Sequence, residues 1–423
     1  MKKLFALISS LLMLFSATAC GKTVENTPET TTEATLPPYA VPSPMAERPS
    51  YAVSENPTTD ELRQTAVRAM QEMLSIQWTT DTAIDYNKKG AVSHKDYHYD
   101  PYLVYCGLPY ADGQTNIYVW LEYYDTRSGV LRLEGDGQWL NDTLGNTCAG
   151  SLMWAWSTVC DSLTGDFVNY KMVQQYGCVP VGSYTYDSYI TSFKLQTTKS
   201  ICEKNGDQVM FESYAQMKAA DAITSSTTEH TLMAISDAVI VYLDDGSIDT
   251  VNSYIMVQDQ AAGVGDKFRE YEEDGITYFY TGRTGPIALK CTFQWMREKD
   301  YIPVTTAEFL GQDPYVKAQV SFSMDVCNNL SDLLSGAFTC NYPMCMLKIN
   351  ATDASGNKTT LYTKYFDRTD VGDGIARNYN LTVARSIIDS AVKALPAGEY
   401  TLEAEVTAST GDVFTPVSFT HTK

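Results

Sequence analysis

The sequence predicts an α+β fold in two parts, a mixed N-terminal domain at 58–305 and a C-terminal domain of regularly spaced strands at 313–423. Apolar residues at helical spacing after Thr58 and after Cys148 give the helices. Runs of apolar and β-branched residues from His230 onward, punctuated by turn residues, give the strands.

Residues 1–57 precede both domains. Met1, Lys2 and Lys3 are a short basic start, residues 4–15 are apolar apart from Ser9 and Ser10, and Ala17-Thr18-Ala19-Cys20 follows. The apolar run is too short to cross a bilayer as a helix and reads as an export signal. It resembles a bacterial lipoprotein signal, although Thr18 sits where glycine or alanine is commoner. That resemblance implies a signal peptide at 1–19, lipidation of Cys20, and a mature chain tethered to the outer face of the cytoplasmic membrane. Residues 20–57 are rich in Thr, Pro and Glu and too poor in large apolar side chains to offset chain entropy, so they read as a disordered tether.

The chain carries 31 Lys and Arg against 51 Asp and Glu, a net charge of −20 that becomes −22 once Lys2 and Lys3 leave with the signal. An acidic surface argues against nucleic acid or anionic lipid as a partner, so the membrane is reached through the lipid on Cys20. Ten cysteines less that anchor leave nine, and an odd number requires at least one thiol unpaired within the chain. Cys327, Cys340 and Cys345 lie close enough in sequence to include a disulfide. No CxxC or clustered His/Cys pattern indicates a metal, and no cofactor is expected.

Thr58 with Glu61 reads as a capping box, followed by Leu62, Ala66, Val67, Met70, Met73, Leu74 and Trp78 at helical spacing. Residues 107–113, GLPYADG, form a turn-rich loop. In GNTCAGSLMWAW (145–156) a glycine turn leads into a helix expected over 148–163, with Thr147 as its N-cap and Cys148 in its first turn. A thiolate there gains from the helix dipole and from unpaired backbone N–H groups, which makes Cys148 the candidate nucleophile. Trp154 and Trp156, on the same helix, read as core.

Histidine is scarce: His94, His98, His230 and His421 are the four, and His230 alone opens a strand. Strands are expected at 230–235, 238–243 and 248–258, around a turn at Asp244-Asp245-Gly246-Ser247. A two-residue turn at Asp245-Gly246 sets His230 opposite Ala261 and puts Asp259 on its face. A turn one residue longer brings Gln260 there instead, and a bulge at Ser236-Asp237 upsets the count. Cys/His catalysis needs such a third group to fix the imidazole tautomer.

These elements resemble the NlpC-type papain-like peptidases of bacterial cell walls, and more loosely their CHAP relatives. The resemblance rests on GLPYADG, Thr147-Cys148-Ala149-Gly150, AQMKAADAI (215–223), His230 in TEHTLMAI and Asp259-Gln260, in the family's order. It implies a papain-like fold, Cys148 as nucleophile, His230 as base, Asp259 or Gln260 as orienting residue, and Tyr110 near the thiolate or oxyanion. It also implies amide bonds of peptidoglycan stem peptides as substrate. Thr147 and Ala149 stand where the family has Asp and Ser, Ala220 stands where glycine precedes Asp221, and residues between 113 and 145 are an insertion. An inactive surface binding protein on the same fold, or an acyl transferase or transpeptidase, are the alternatives.

In the C-terminal part, strands are expected at 316–324, 346–351, 359–366, 378–383 and 400–407, with a short helix near 383–395. This spacing suggests an immunoglobulin-like β-sandwich serving as a spacer or a binding module.

Overall fold

The computed structural model describes residues 42–43, 45, 47–85, 98–110, 116–131, 145–165, 172–173, 175–186, 196–259, 269–273, 275–280, 288–366 and 376–423. All belong to the unit Ala40–Lys423. Cys20 and the signal lie outside the described residues. The architecture is mixed α+β with several sheets and is mostly β.

Helix α1 (Thr59–Ser75) starts where the Thr58 hydroxyl accepts the Glu61 N–H at 3.2 Å, and it buries Leu62, Ala66, Ala69, Met70, Met73 and Leu74 along one stripe. The expected capping box closes on one side. The Glu61 carboxylate accepts instead from the N–H and hydroxyl of Ser54, at 2.6 and 2.8 Å. Beyond α1 lies a mixed sheet of β1 (Gln77–Thr80), β4 (Val104–Cys106), β5 (Tyr124–Asp125), β6 (Val130–Leu131), β11 (Arg269–Glu273) and β12 (Ile276–Tyr280), with a separate pair β2 (Ile84–Asp85) and β3 (His98–Tyr99). Trp78, Tyr99, Tyr105 and Trp120 of the short helix α2 (Ile117–Glu122) pack ring against ring beside it.

The second large sheet carries the candidate site. Its strands are β7 (Cys178–Pro180), β8 (Ala222–Ser225), β9 (His230–Ala234), β10 (Tyr254–Gln258), β13 (Leu289–Thr292) and β14 (Ile302–Thr306), in the antiparallel order β13-β10-β9-β8-β14-β7. Every residue of β8 and β14 is buried, so both faces of the sheet are covered there. Helix α3 (Cys148–Ser157) packs against α1 and β9; α4 (Thr198–Asn205), α5 (Gln208–Ala215) and α6 (Phe293–Glu298) complete this half. α3 stops at Ser157 rather than near Leu163. Ser157 and Thr158 turn their hydroxyls onto the carbonyls of Trp154 and Ala155, at 2.8 and 2.7 Å, and the chain tightens out of the α-helix.

Two cores form. The first runs from Tyr51 to Phe309 and includes Cys345, and the second runs from Ala318 to Phe419. The second lies between a three-stranded sheet, β15 (Val320–Phe322), β16 (Ala337–Cys340) and β19 (Asn378–Asn380), and a four-stranded one, β17 (Met344–Asp353), β18 (Lys358–Tyr365), β20 (Glu399–Ala408) and β21 (Val413–Thr422), joined by α7 (Leu330–Leu333) and α8 (Arg385–Ala394). β16 and β21 are absent from the sequence reading. β16 is only four residues long, and Pro416 argues against a strand at 413–422 until β21 is seen to be an edge strand, where a missing N–H is tolerated. Cys327, Cys340 and Cys345 are free thiols, so the disulfide considered among them does not form.

The tether expected over 20–57 does not extend to residue 57. From residue 42 the described chain packs on the body: Tyr51 is 1 % exposed, donates its N–H to Thr410 O at 3.0 Å and meets the Trp154 ring edge-on. Met45, Tyr51 and Val53 supply the apolar surface that the residues before them lack.

A buried ion pair joins α1 to the strand before the site. Arg63 and Asp221 meet at 2.7 Å with their side chains 5 % and 2 % exposed, and the guanidinium also donates to Ala219 O and Phe309 O. Removing one member leaves a buried charge uncompensated, so Arg63→Ala is expected to cost about 3–5 kcal/mol in urea unfolding. A loss below about 1 kcal/mol would contradict this assignment.

Candidate active site

Cys148 begins α3 because the residues before it build a turn and a cap. Gly145 has φ +146°, a conformation that a side chain strains. Asn146, fully buried, donates its N–H to Pro109 O at 2.8 Å and accepts the Thr147 N–H at 3.1 Å on its side-chain oxygen. Thr147 is extended (φ −95°, ψ 173°), and its hydroxyl accepts the Gly150 N–H at 3.1 Å, the N-cap expected of it. The Ser151 N–H goes to Thr147 O at 2.9 Å. Neither bond uses the N–H groups of Cys148 and Ala149 at the positive end of the helix dipole.

The sheet brings His230 and Asp259 to the same place. His230 opens β9 with its side chain 13 % exposed, and its Nε2 hydrogen-bonds the fully buried Oδ2 side of Asp259, one residue past β10. Cys148, 5 % exposed, lies close enough to the same ring to favour its charged form. With Nε2 facing Asp259, Nδ1 is the nitrogen left for the sulfur.

The register that delivers Asp259 has an unexpected origin. Ala234 pairs with Val257 and Met233 with Gln258, which sets His230 opposite Ala261, as a two-residue turn would. The turn is in fact three residues long: the Leu243 N–H bonds Ser247 O, and Gly246 sits at φ +82°. Alone it would bring Gln260 onto the face of His230. The chain spends three more residues between Ile248 and Tyr254 than its partner does, and two more between Ala234 and Val239, so the net slip of one restores Asp259. The strands expected at 238–243 and 248–253 are reduced to two isolated bridges.

Electrostatics favour the charged ring. Burial, the largest influence, lowers the affinity of His230 for its proton, but the hydrogen bonds and charges of Asp259 and Cys148 together outweigh it and raise the pKa from 6.5 to about 10. Burial has the opposite consequence for other thiols: it pushes Cys106 up to about 12, and raises Cys160, Cys178, Cys202, Cys327, Cys340 and Cys345 as well. A sulfur beside an imidazolium held by a carboxylate is an arrangement competent for acyl transfer.

Tyr110 is half-buried and bridges Asn146 in parallel, which places the GLPY loop beside the residues leading into Cys148. Gln260 lies outside the described residues. Trp154 and Trp156 are core, and Trp156 Nε1 donates to Ala220 O at 2.7 Å. Sequence reasoning missed the anchors of the loop before His230: Ser225 Oγ donates to Lys299 O at 3.1 Å, and Thr227 Oγ1 donates to the Asp300 carboxylate. It also missed Arg63, whose place within the apolar stripe of α1 is a readable sign of a buried partner. Among the described residues no three His, Cys, Asp or Glu side chains are grouped to hold a metal ion.

The chain matches no protein-family model and no curated protein.

A pKa raised on folding means that the charged His230 contributes stability in full below about pH 6.5 and loses it as pH rises through about 10. In Asp259→Asn the His230 titration followed by NMR should fall toward 6.5, and the stability difference between pH 6.5 and 10 should shrink. An unchanged titration would remove Asp259 as the residue that holds the ring.

Proposed function

We propose that this chain is a cell-surface cysteine peptidase or amidase of papain-like, NlpC-type fold that hydrolyses amide bonds of peptidoglycan stem peptides. The observation that supports it is the convergence of Cys148, His230 and Asp259, a helix-N-terminal sulfur against an imidazole oriented by a carboxylate. In the proposed mechanism the Cys148 sulfur attacks the amide carbonyl while His230 holds the proton at Nδ1. The Cys148 N–H stabilises the oxyanion. Once the sulfur is acylated, one of the two groups that hold the proton on His230 is gone, and the ring yields it to the leaving amine. His230 is then the base that activates water for thioester hydrolysis. Thr147 caps the helix where the family has Asp, and Tyr110 is assigned a role near the thiolate or the oxyanion.

The remaining features fit this reading. Lipid on Cys20 would hold the enzyme at the outer face of the membrane, and the tether would give it reach into the wall. The C-terminal domain, two antiparallel sheets over one core, is read as an immunoglobulin-like sandwich.

The chain lacking residues 1–39, incubated with peptidoglycan, should release peptide fragments that mass spectrometry identifies, and Cys148→Ser and His230→Ala should abolish them. Products joined to an added amine would assign transpeptidation instead. No product from several wall types would contradict the enzyme and favour a surface binding protein.

A further inference from the structure

The last residue of α3 and the segment that leads out of it, 158–163, are held by the other domain. Beyond Ser157 the helix ends in carbonyls that its own turn does not satisfy. Ser409 Oγ, from the end of β20, donates to Ser157 O at 2.5 Å. Arg377, just before β19, donates through one terminal nitrogen to Asp161 O at 2.6 Å and Leu163 O at 2.8 Å, and through the other to Asn341 O. The Tyr342 hydroxyl lies 3.3 Å from Val159 O and 2.9 Å from Val316 O, bridging the two segments. Cys345 of β17 sits within the first core. From the first domain, Glu308 takes the N–H and hydroxyl of Ser162, at 3.1 and 2.9 Å.

These contacts have a geometric consequence at the opposite end of the helix. α3 has ten residues, about 15 Å of rise, and its interior is packed on α1 and β9. A short helix transmits a shift or rotation at one end to the other. Cys148 must stay within hydrogen-bond reach of a ring that is itself fixed by Asp259, so the tolerance there is a fraction of an ångström.

We propose that the C-terminal domain is a brace for the nucleophile helix, with Arg377 and Ser409 as positioning residues that act through α3 on the Cys148–His230 contact. This rests on the proposed thiol mechanism and replaces the notion of a spacer domain. The Arg377 guanidinium also satisfies carbonyls of the segment that leads out of the helix. Removing it loosens the helix end and leaves the carbonyls of Asp161 and Leu163 short of donors.

The test measures the rate of Cys148 alkylation from pH 5 to 9, well below the melting temperature, in the chain lacking residues 1–39. The variants are Arg377→Ala, Arg377→Lys, Ser409→Ala, and Val417→Ala as a control that weakens the second core without touching α3. Arg377→Ala and Ser409→Ala are expected to lower the rate at pH 6 by about tenfold or more, shift its pH profile toward that of His230→Ala, and lower kcat with KM unchanged. Arg377→Lys should recover part of the loss. Val417→Ala should lower the melting temperature and leave the rate alone. If Arg377→Ala does not fold, Ser409→Ala, which removes one hydrogen bond, decides. Wild-type alkylation that depends on His230 but is the same in both variants, or that falls as much in Val417→Ala, overturns the brace and leaves the thiol mechanism standing. Wild-type alkylation indifferent to His230 removes the mechanism, and the brace with it.

Discussion

The hydrogen bond from Trp156 Nε1 to Ala220 O, 2.7 Å long and buried, ties the helix carrying Cys148 to the strand system carrying His230 and Asp259. Much else in the first domain depends on that junction. Ala220 itself holds φ +70°, a left-handed conformation that costs an L residue roughly 1–2 kcal/mol. The strain is offset by what the conformation allows: the Ala220 N–H donates to Ala234 O, and the Ala234 N–H donates to Asp221 O, at 2.8 and 2.7 Å, closing the sheet over β9. A glycine would hold this conformation without strain, and alanine meets the same backbone requirement at some cost.

The same region concentrates buried charge in a protein whose net charge is −20. Arg63 with Asp221, and His230 with Asp259, are the two nearly dry pairs of the first domain among the described residues. Their roles differ. Asp221 is raised by desolvation even with Arg63 beside it, so that pair fixes α1 against the sheet at an energetic cost. The second pair carries the opposite balance, because Asp259 and Cys148 together keep the proton on the ring despite its burial. Structural and chemical charge are therefore separated by one strand.

The sequence disclosed the parts of this arrangement that local chemistry determines. Thr147, Gly145 and the apolar stripe of α1 are visible as residues that can do one thing in one place. A two-residue turn points to Asp259 and a longer one to Gln260; the turn is the longer one, yet two irregularities offset it and Asp259 faces the ring. A period of two along a strand cannot reveal such a cancellation. The contacts of Ser409 with the end of α3 and of Arg377 with the segment beyond it carry no sequence signal at all, because backbone carbonyls are the same whatever the residue. Tyr51 stands among prolines and β21 contains Pro416, and in both the composition speaks for the segment while one position decides its packing.

If the junction exists to present one sulfur to one charged ring, a single thiol should stand apart from the other eight described. Competitive alkylation at pH 6 with limiting iodoacetamide, followed by peptide mapping, measures this directly. The account predicts that Cys148, although only 5 % exposed, is modified ahead of the more accessible Cys327 and of every other cysteine, and that it loses this lead in His230→Ala. Labelling that follows exposure, with Cys327 first and Cys148 indifferent to His230, would contradict it.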